Sequence, residues 1–357
     1  MNVLLSSVGR RSYLVEYFRR TLDGHGLVIA TNSDADATGM LMADQAIVIP
    51  QAGEDGFIEK LLEVCQRFNI RILCSLHDWE APFIAQASEQ FLQLGVIPII
   101  SSLAVLDTCL DKYATFNFGL HKGIRIPKTA LGLEEALRQL EDGRLDYPLI
   151  VKPRRGQGSI CIETVFSEDE LRAACLLAQR KISRIKSNNL LAKPGEENLI
   201  IQELISGAEY GLDVINDLQG QFIKCFVKYK VAMRAGETDA AIVIDNPELE
   251  SFGKMIGEKL GHVGCLDVDV IMDRQGPCLL EANPRFGGHY PFSHEAGADV
   301  PAALIAWAEG REPDPGWLRV NTGGLFFKNI SILQKDRIIN VDDGRKLIPS
   351  YCGQYDF

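Results

Sequence analysis

The sequence predicts an α/β domain with a parallel sheet, followed by a second part of mixed α+β structure. Short apolar strands alternate with helical patterns in the first part of the chain, and these strands are expected at 3–6, 27–31, 47–49, 72–75 and 96–100. Such alternation is typical of βαβ units, whose strands run parallel. After residue 112 the pattern changes, and strands are expected at 149–153, 160–165, 199–201, 210–215, 222–227, 268–272 and 278–280.

Helices are predicted between the N-terminal strands because apolar residues recur there at helical spacing. Phe57, Leu61 and Cys65 follow this spacing. Three strands of the region end in polar clusters, which are Gly9-Arg10-Arg11, Asn32-Ser33-Asp34 and His77-Asp78-Trp79-Glu80. Ligands of open parallel sheets bind beyond the carboxyl ends of the strands, so these clusters are candidate binding residues.

The composition is that of an acidic globular protein. The chain has 357 residues, with 37 Lys and Arg against 48 Asp and Glu, and its net charge of −11 offers no basic surface for nucleic acid or anionic membranes. No apolar run approaches the roughly 18 residues of a membrane span. The nine cysteines contain no CxxC pair. We therefore expect reduced thiols in a cytoplasmic protein, with no zinc site and no disulfide framework.

The first chemical motif is a glycine-rich loop between two predicted strands. Lys152 lies near the end of the first strand, and Gly156, Gly158 and Ser159 form the loop. The loop is neither a GxxxxGK[ST] sequence nor a GxGxxG sequence that opens a helix. The backbone N–H groups of such a loop can cover phosphates, and Lys152 would add a positive charge from the strand below. A plain hairpin turn is the alternative.

The second motif places acidic residues on two consecutive predicted strands. Asp267 and Asp269 share one strand face, as do Glu281 and Asn283, because residues i and i+2 point the same way. Carboxylate and amide oxygens are ligands suited to Mg²⁺. Arg285 follows and could hold a phosphoryl group through two hydrogen bonds. The alternative is a set of charges on a solvated sheet face.

The third motif is a polar hinge after an apolar strand. Gln202 and Glu203 end the strand, and Glu209 follows six residues after Glu203. Backbone groups of such a hinge can meet an adenine edge, and Glu209 could accept hydrogen bonds from ribose hydroxyls. An edge strand followed by a turn would have the same sequence features.

Taken in order along the chain, these motifs resemble the ATP-grasp enzymes, and most closely the carbamoyl-phosphate-synthase-like carboxylate–amine ligases. The resemblance covers about residues 1–310 and rests on Asp111-Lys112, Tyr147–Pro153, Gly156–Ser159, Gln202–Glu209, Asp269, Glu281–Arg285, and also on Gly9–Arg11, Asp78-x-Glu80 and Met233–Thr238. It implies an ATP-grasp fold behind an N-terminal Rossmann-like domain. The domains are expected at 1–111, 112–200 with the flap, 201–315 with the metal site, and 316–357, a segment without a recognised motif.

The resemblance also implies roles for matched residues. The ATP phosphates would contact Lys112, Lys152, Gly156, Gly158 and Ser159. The adenine would be lined by Gln202, Glu203, Ile205 and Leu280, and the ribose would bind Glu209. Two Mg²⁺ ions, or Mn²⁺ in their place, would be held by Asp269, Glu281 and Asn283. Catalysis would involve Arg285, Lys152 and Arg234.

Two departures from the family pattern stand out. The hinge begins with Gln202 where an acidic residue is usual, and the first metal carboxylate is Asp269 rather than Glu. Asp267 is an additional acid beside it, with a metal, a substrate or a cation as its alternative partners. Candidate substrate residues are Arg10, Arg11, Asp78, Glu80, Arg234, His289 and His294.

The function predicted is an ATP- and Mg²⁺-dependent ligase that joins a small carboxylate to an amine. Its partners would be these small molecules and a second copy in a homodimer, with neither nucleic acid nor a membrane. One alternative is a nucleotide-binding regulatory protein without chemistry. A dehydrogenase is suggested by Asp34 at the end of the second strand, but the first turn lacks GxGxxG.

Overall fold

The computed structural model describes residues 1–156, 161–184 and 195–333. Its N-terminal part contains the elements β1 (Asn2–Ser6), α1 (Ser12–Leu22), β2 (Val28–Asn32), α2 (Thr38–Leu41), β3 (Gln45–Val48), α3 (Phe57–Arg67), β4 (Ile70–Ser75), α4 (Ala81–Gln86), α5 (Ser88–Gln93) and β5 (Ile97–Ile99). The five strands form a parallel sheet in the order β3-β2-β1-β4-β5. The predicted alternation of strand and helix is confirmed, and the polar clusters lie together because parallel strands end at the same edge.

A four-stranded antiparallel sheet follows. This region contains α6 (Leu103–Leu110), α7 (Lys112–Lys122), β6 (Thr129–Leu131), α8 (Gly132–Glu141), β7 (Leu149–Pro153), β8 (Glu163–Val165), α9 (Glu168–Arg184) and β9 (Leu199–Glu203). The strand order is β6-β9-β7-β8. Leu149 and Val151 of β7 are buried in one core with Leu171 and Cys175 of α9. Alternate residues of β7 face the other way, which directs Lys152 away from this core.

A six-stranded antiparallel sheet forms the third part. It contains β10 (Ala208–Asn216), β11 (Phe222–Arg234), β12 (Glu237–Ile244), α10 (Pro247–Leu260), β13 (Gly264–Asp273), β14 (Gly276–Asn283), α11 (Tyr290–Glu295), α12 (Val300–Ala308) and β15 (Leu325–Phe327). The strand order is β14-β13-β10-β11-β12-β15. The last strand pairs with β12, so part of the segment without a recognised motif completes this sheet. Residues 334–357 of that segment lie outside the described residues.

The N-terminal domain packs against the segment that follows β14. Leu14 and Phe18 of α1 share a core with Phe286, Tyr290 and Leu304. This packing brings the carboxyl ends of β1 and β4 to the end of β14, and a cleft lies between them. None of the helices described has both the length and the apolar character needed to cross a membrane.

Candidate active site

A cleft of about 410 Å³ lies where the three sheets meet. Residues from all three contribute to its walls: Ser7–Arg11, Leu76 and His77 from the parallel sheet, Lys152, Pro153 and Gly156 from the four-stranded sheet, and Lys230, Asp267, Asp269, Glu281 and Asn283 from the six-stranded sheet. Lys112, Arg285 and His289 also line it. The sequence motifs that are far apart along the chain therefore converge on one cleft.

The acidic residues of the second motif face one another across β13 and β14. Asp269 is paired in register with Glu281, and Asp267 with Asn283. All four line the cleft, because alternate residues of a strand share a face. The juxtaposition expected from the sequence is therefore present, and it gathers hard oxygen ligands at one point.

Two lysines of the predicted phosphate site reach the same cleft. The Lys112 ammonium lies 3.2 Å from Glu281 Oε1 and donates to the carbonyl oxygen of Gly156 at 2.7 Å. Lys152 makes no hydrogen bond or ion pair with any residue that the structure describes. Burial, together with the neighbouring Lys112 ammonium, lowers the pKa of Lys152 to about 8. A bound phosphate would stabilise the charge of this lysine, which the protein alone disfavours. Gly158 and Ser159 of the flap lie outside the described residues.

Arg285 is held between two carboxylates. Its Nη2 lies 3.0 Å from Asp78 Oδ2, and its Nη1 donates to Asp267 Oδ2 at 2.7 Å. Burial opposes the charge of the guanidinium, but Asp78 and Asp267 outweigh this effect and raise the pKa of Arg285 above its ordinary value. Asp267 therefore has a cation as its partner, and Asp78, which was expected to bind substrate, pairs with the same guanidinium.

His289 is buried between two further acids. Its Nδ1 lies 3.1 Å from Asp213 Oδ1, and its Nε2 lies 2.5 Å from Asp267 Oδ1. Burial opposes its charge, but Asp267 and Asp213 raise the pKa of His289 above its ordinary value. Gly211 leaves space for the ring, since a Cβ there would lie 2.6 Å from His289 Cδ2. His289 lines the cleft, and both of its ring nitrogens face carboxylates of the protein, so its contact with substrate stays a prediction.

A buried ion pair stands behind His289. Lys228 forms an ion pair with Asp213, and both side chains are fully buried. Ser293 donates to Asp213 at 2.6 Å. A row of alternating charges thus runs from Lys228 through Asp213, His289 and Asp267 to Arg285. Asp267, Asp269 and His289 are also close enough to hold a metal ion, and in the structure the two acids pair with Arg285 and Lys230.

Lys230 is a site residue that the sequence reasoning missed. Its ammonium lies 2.6 Å from Asp269 Oδ1, and its side chain is 7% exposed. Burial opposes its charge, but Asp269 raises the pKa of Lys230 above its ordinary value. A signal was available, because Lys228 and Lys230 directly follow the strand predicted at 222–227 and would share a face if that strand continued. Charged residues on one face of an apolar strand mark a polar surface.

The arginines predicted to bind substrate differ in their placement. Arg10 and Arg11 both line the cleft. Arg10 is exposed, and its Nη2 lies 3.4 Å from Glu237 Oε1. Arg11 donates to the carbonyl oxygen of Leu76. Arg234 is exposed and forms an ion pair with Asp239. It is not among the described residues that line the cleft. The prediction of a catalytic role for Arg234 is therefore not supported by its position here.

Two predicted substrate residues, Glu80 and His294, are not among the described residues that line the cleft. Glu80 is 1% exposed, and its carboxylate accepts hydrogen bonds from Ser6, Ser7 and Ser75 at 2.9, 2.6 and 2.7 Å. Its oxygens are therefore committed to the protein. The His294 ring stacks on Tyr17 with the centroids 3.5 Å apart, which makes it a packing residue between α1 and α11.

The predicted adenine residues lie at the hinge between β9 and β10. The Gln202 amide nitrogen donates to Thr129 Oγ1 at 2.7 Å, and its amide oxygen is the group that could accept from an adenine amino group. Glu203 accepts from the backbone nitrogen of Lys128 at 2.8 Å. Ile205 and Leu280 are half-buried, and Glu209 is exposed. None of these five is among the described residues that line the cleft, so their roles remain predictions.

Comparison with family models identifies two parts of the chain. Residues 3–100 match the model described as "PylC-like, N-terminal domain". Residues 195–322 match the model described as "ATP-grasp in the biosynthetic pathway with Ter operon". The first match covers the parallel sheet, and the second covers the hinge and β10 to β14 of the six-stranded sheet, with their acidic residues.

Curated relatives include large chains of carbamoyl phosphate synthase. The large chain from Campylobacter jejuni is 26% identical over 223 residues, which are 59% of this chain and 19% of that protein. The arginine-specific large chain from Bacillus subtilis is 18% identical over 267 residues, which are 72% of this chain and 24% of that protein. The chain thus spans about a quarter or less of the length of these relatives.

Solved structures show the same fold. Biotin carboxylase from Campylobacter jejuni has a TM-score of 0.71 at 18% identity, covering 91% of this chain and 74% of that one. L-amino acid ligase from Bacillus licheniformis has a TM-score of 0.66 at 18% identity, covering 85% of this chain and 74% of that one. The predicted ATP-grasp fold is therefore confirmed. Enzymes with this fold use ATP and Mg²⁺. The chain has the ATP-grasp fold, its residues 3–100 match a PylC-like N-terminal model, its residues 195–322 match an ATP-grasp model, and it is similar to the carbamoyl phosphate synthase large chain.

Proposed function

We propose that this protein is an ATP- and Mg²⁺-dependent ligase that activates a small carboxylate as an acyl phosphate and joins it to an amine. The amine would be an amino acid or an amino sugar, and the products would include ADP and phosphate. One observation carries the proposal: Asp269 faces Glu281 in a cleft that Lys112, Lys152 and Arg285 also line. Such an arrangement supplies metal ligands and phosphate contacts together.

The residues present fit a divalent cation. Asp269, Glu281 and Asn283 offer oxygen ligands from neighbouring strands, as Mg²⁺ or Mn²⁺ requires. The metal would offset the negative charge of the phosphates. We assign the phosphates to Lys112, Lys152 and the flap from Gly156 to Ser159, the adenine to the hinge with Gln202, Glu203, Ile205 and Leu280, and the ribose to Glu209. These assignments follow the family pattern.

The chemistry needs positioning and charge neutralisation more than covalent participation by the protein. A carboxylate oxygen of the substrate attacks the γ-phosphorus of ATP, the bond to the bridging oxygen breaks, and ADP leaves. The amine then attacks the acyl carbon, the C–O bond to phosphate breaks, and phosphate leaves with the bonding electrons while the nitrogen loses a proton. Lys152 and Arg285 line the cleft, where their positive charges would stabilise the transferring phosphoryl group. Asp78 and Asp267 hold the Arg285 guanidinium in one orientation.

The cleft mouth suits a substrate with groups of both signs. Arg10 and Arg11 could bind a carboxylate of the substrate, and Glu237 could bind its amine.

The proposal also includes the organisation of the protein: domains that end at residues 111, 200 and 315, a homodimer, and a cytoplasmic location. The eight described cysteines are all free thiols, in keeping with a reducing compartment. A dimer of the 2-oxoglutarate carboxylase biotin carboxylase domain from Hydrogenobacter thermophilus, solved with MgADP, has a TM-score of 0.69.

The proposal is tested by ADP release from ATP and Mg²⁺ with pooled carboxylates and amines. Glu281→Gln removes a proposed metal ligand, and Glu250→Gln removes a surface carboxylate that pairs with Lys224 and serves as the matched control. We expect ADP with particular acid–amine pairs, loss of that ADP in Glu281→Gln, and no change in Glu250→Gln. Nucleotide binding without ADP release in any pool would favour the regulatory alternative over the ligase.

A further inference from the structure

We propose that the Lys230 ammonium changes its anionic partner when nucleotide and metal bind to the cleft. In the absence of nucleotide it neutralises Asp269, and when phosphates arrive it gives up this carboxylate to the metal and turns to the phosphate oxygens. The inference deepens the proposed function and rests on it for the nucleotide step. It makes metal binding depend on the nucleotide through one lysine of the protein.

The sheet allows Lys230 to reach Asp269 across an intervening strand. Lys230 is on β11 and Asp269 on β13, with β10 between them. Gly211 of β10 is paired with Asp269 on one side and with Lys228 on the other, so Lys230 approaches Asp269 diagonally, from two residues further along β11. The Lys230 ammonium lies 2.6 Å from Asp269 Oδ1, and its side chain is shielded from solvent.

The facing carboxylate has a matching lysine. Lys112 lies 3.2 Å from Glu281 Oε1, so each of the two opposed metal carboxylates is paired with an ammonium. Mg²⁺ binds carboxylate oxygens at about 2.0–2.1 Å. A divalent cation at these oxygens would stand next to both ammonium groups and would be repelled by them. Metal binding without nucleotide is therefore opposed by charges that the protein itself supplies.

The two lysines differ in how firmly they are held. Lys112 also donates to the Gly156 carbonyl oxygen, which ties it to the flap. Among the described residues, Asp269 is the one hydrogen-bond partner of the Lys230 ammonium. Lys230 also lines the cleft, where phosphate oxygens would offer it new acceptors. Lys230 is thus the cation best placed to exchange one anionic partner for another.

The experiment measures Mn²⁺ binding by electron paramagnetic resonance, first without nucleotide and then with saturating ADP. Lys230→Met removes the ammonium, and Lys230→Gln removes the charge but keeps a hydrogen-bond donor for Asp269. Lys230→Arg keeps the charge. Lys224→Met is the matched control, because Lys224 lies on the same strand as Lys230 but outside the cleft. Its ammonium donates to Glu250 Oε2 at 3.1 Å.

We expect both neutral variants to bind Mn²⁺ without ADP about three- to tenfold more tightly than the wild type, since a competing charge is gone. The gain in Mn²⁺ affinity on adding ADP should shrink by a similar factor. Lys230→Arg and Lys224→Met should behave like the wild type. Unchanged or weaker Mn²⁺ binding by both neutral variants without ADP would overturn the exchange.

Failure of the proposed function has a different signature. In that case ADP would not increase Mn²⁺ binding by the wild type, while the nucleotide-free comparison would still decide whether Lys230 competes with the metal. Asp269→Asn in the wild-type and Lys230→Met backgrounds verifies the location. Tight Mn²⁺ binding that survives Asp269→Asn in both backgrounds would place the metal elsewhere and contradict the inference.

Discussion

Arg285 and Asp78 are 207 residues apart in the sequence, yet their side chains form an ion pair at 3.0 Å. Asp78 follows β4 of the parallel sheet, and Arg285 follows β14 of the six-stranded sheet. Because both side chains are almost fully shielded from solvent, this contact is held more firmly than a surface pair. It links the N-terminal domain to the arginine that we place beside the transferring phosphoryl group.

Asp78→Asn should lower the rate of ADP release more than it weakens nucleotide binding. The substitution removes one of the two anions that orient Arg285, so we expect kcat to fall about tenfold or more, as for a loss of about 1.4 kcal/mol or more of transition-state stabilisation. Steady-state kinetics and ADP titration measure the two effects. Asp273→Asn, which removes a carboxylate paired with Arg125, is the control. An unchanged kcat in Asp78→Asn would show that this orientation is unimportant.

His289→Gln should destabilise the fold. The substitution leaves Asp213 and Asp267 facing each other without the positive charge between them. Removing one partner of a buried charge pair costs about 3–5 kcal/mol. Urea unfolding measures this loss, with His294→Gln as the comparison because His294 packs on Tyr17 without an ion pair to either acid. Equal free energies of unfolding for the two variants would argue against the charged row.

Nucleotide affinity should decrease as the pH rises through about 8, the pKa of Lys152 in the protein without nucleotide. Lys152 must be protonated to attract phosphate, and above this pH the free protein loses that proton. Lys152→Arg should weaken this dependence, because arginine stays charged. ADP titrations between about pH 7 and 9.5 check the slope. An identical slope in both proteins would exclude Lys152 as its source.

Lys152 should also make the free energy of unfolding depend on pH. Its pKa is lower in the folded chain than its ordinary value of 10.5, so the unfolded chain binds more protons between about pH 8 and 10.5. The contribution of Lys152 to the free energy of unfolding therefore rises with pH in this window. Urea unfolding of the wild type and Lys152→Met, compared across the window, isolates this contribution. A difference between them that stays constant with pH would contradict it.

Glu80→Ala should reduce stability without changing nucleotide affinity. It leaves the hydroxyls of Ser6, Ser7 and Ser75 without their shared acceptor. Unsatisfied buried polar groups cost about 1–3 kcal/mol. Urea unfolding and ADP titration measure the two properties, and Glu80→Gln should lose less because one carbonyl oxygen remains. Weaker nucleotide binding by a folded Glu80→Ala protein would show that Glu80 contributes to the binding site.

Much of the site could be predicted because its geometry is local. Asp267 and Asp269 share a face through strand periodicity, and their pairing with Asn283 and Glu281 follows from two consecutive antiparallel strands. The alternation of strands and helices likewise placed Arg10, Arg11 and Asp78 at one edge of the parallel sheet. These relationships depend on the spacing of residues within short segments, which the sequence displays directly.

The partners of the charged groups were decided by the tertiary structure. Glu80 and Asp78 are two residues apart at the same strand end, yet Glu80 accepts from three serines while Asp78 binds Arg285. Lys230 of β11 reaches Asp269 of β13 across the strand that separates them. A charge in the sequence has many possible partners, and the electrostatic interaction becomes strong only where folding brings two groups together away from water. The sequence by itself determined which segments form strands and which faces carry charge, and the packing of the three sheets decided which charges meet.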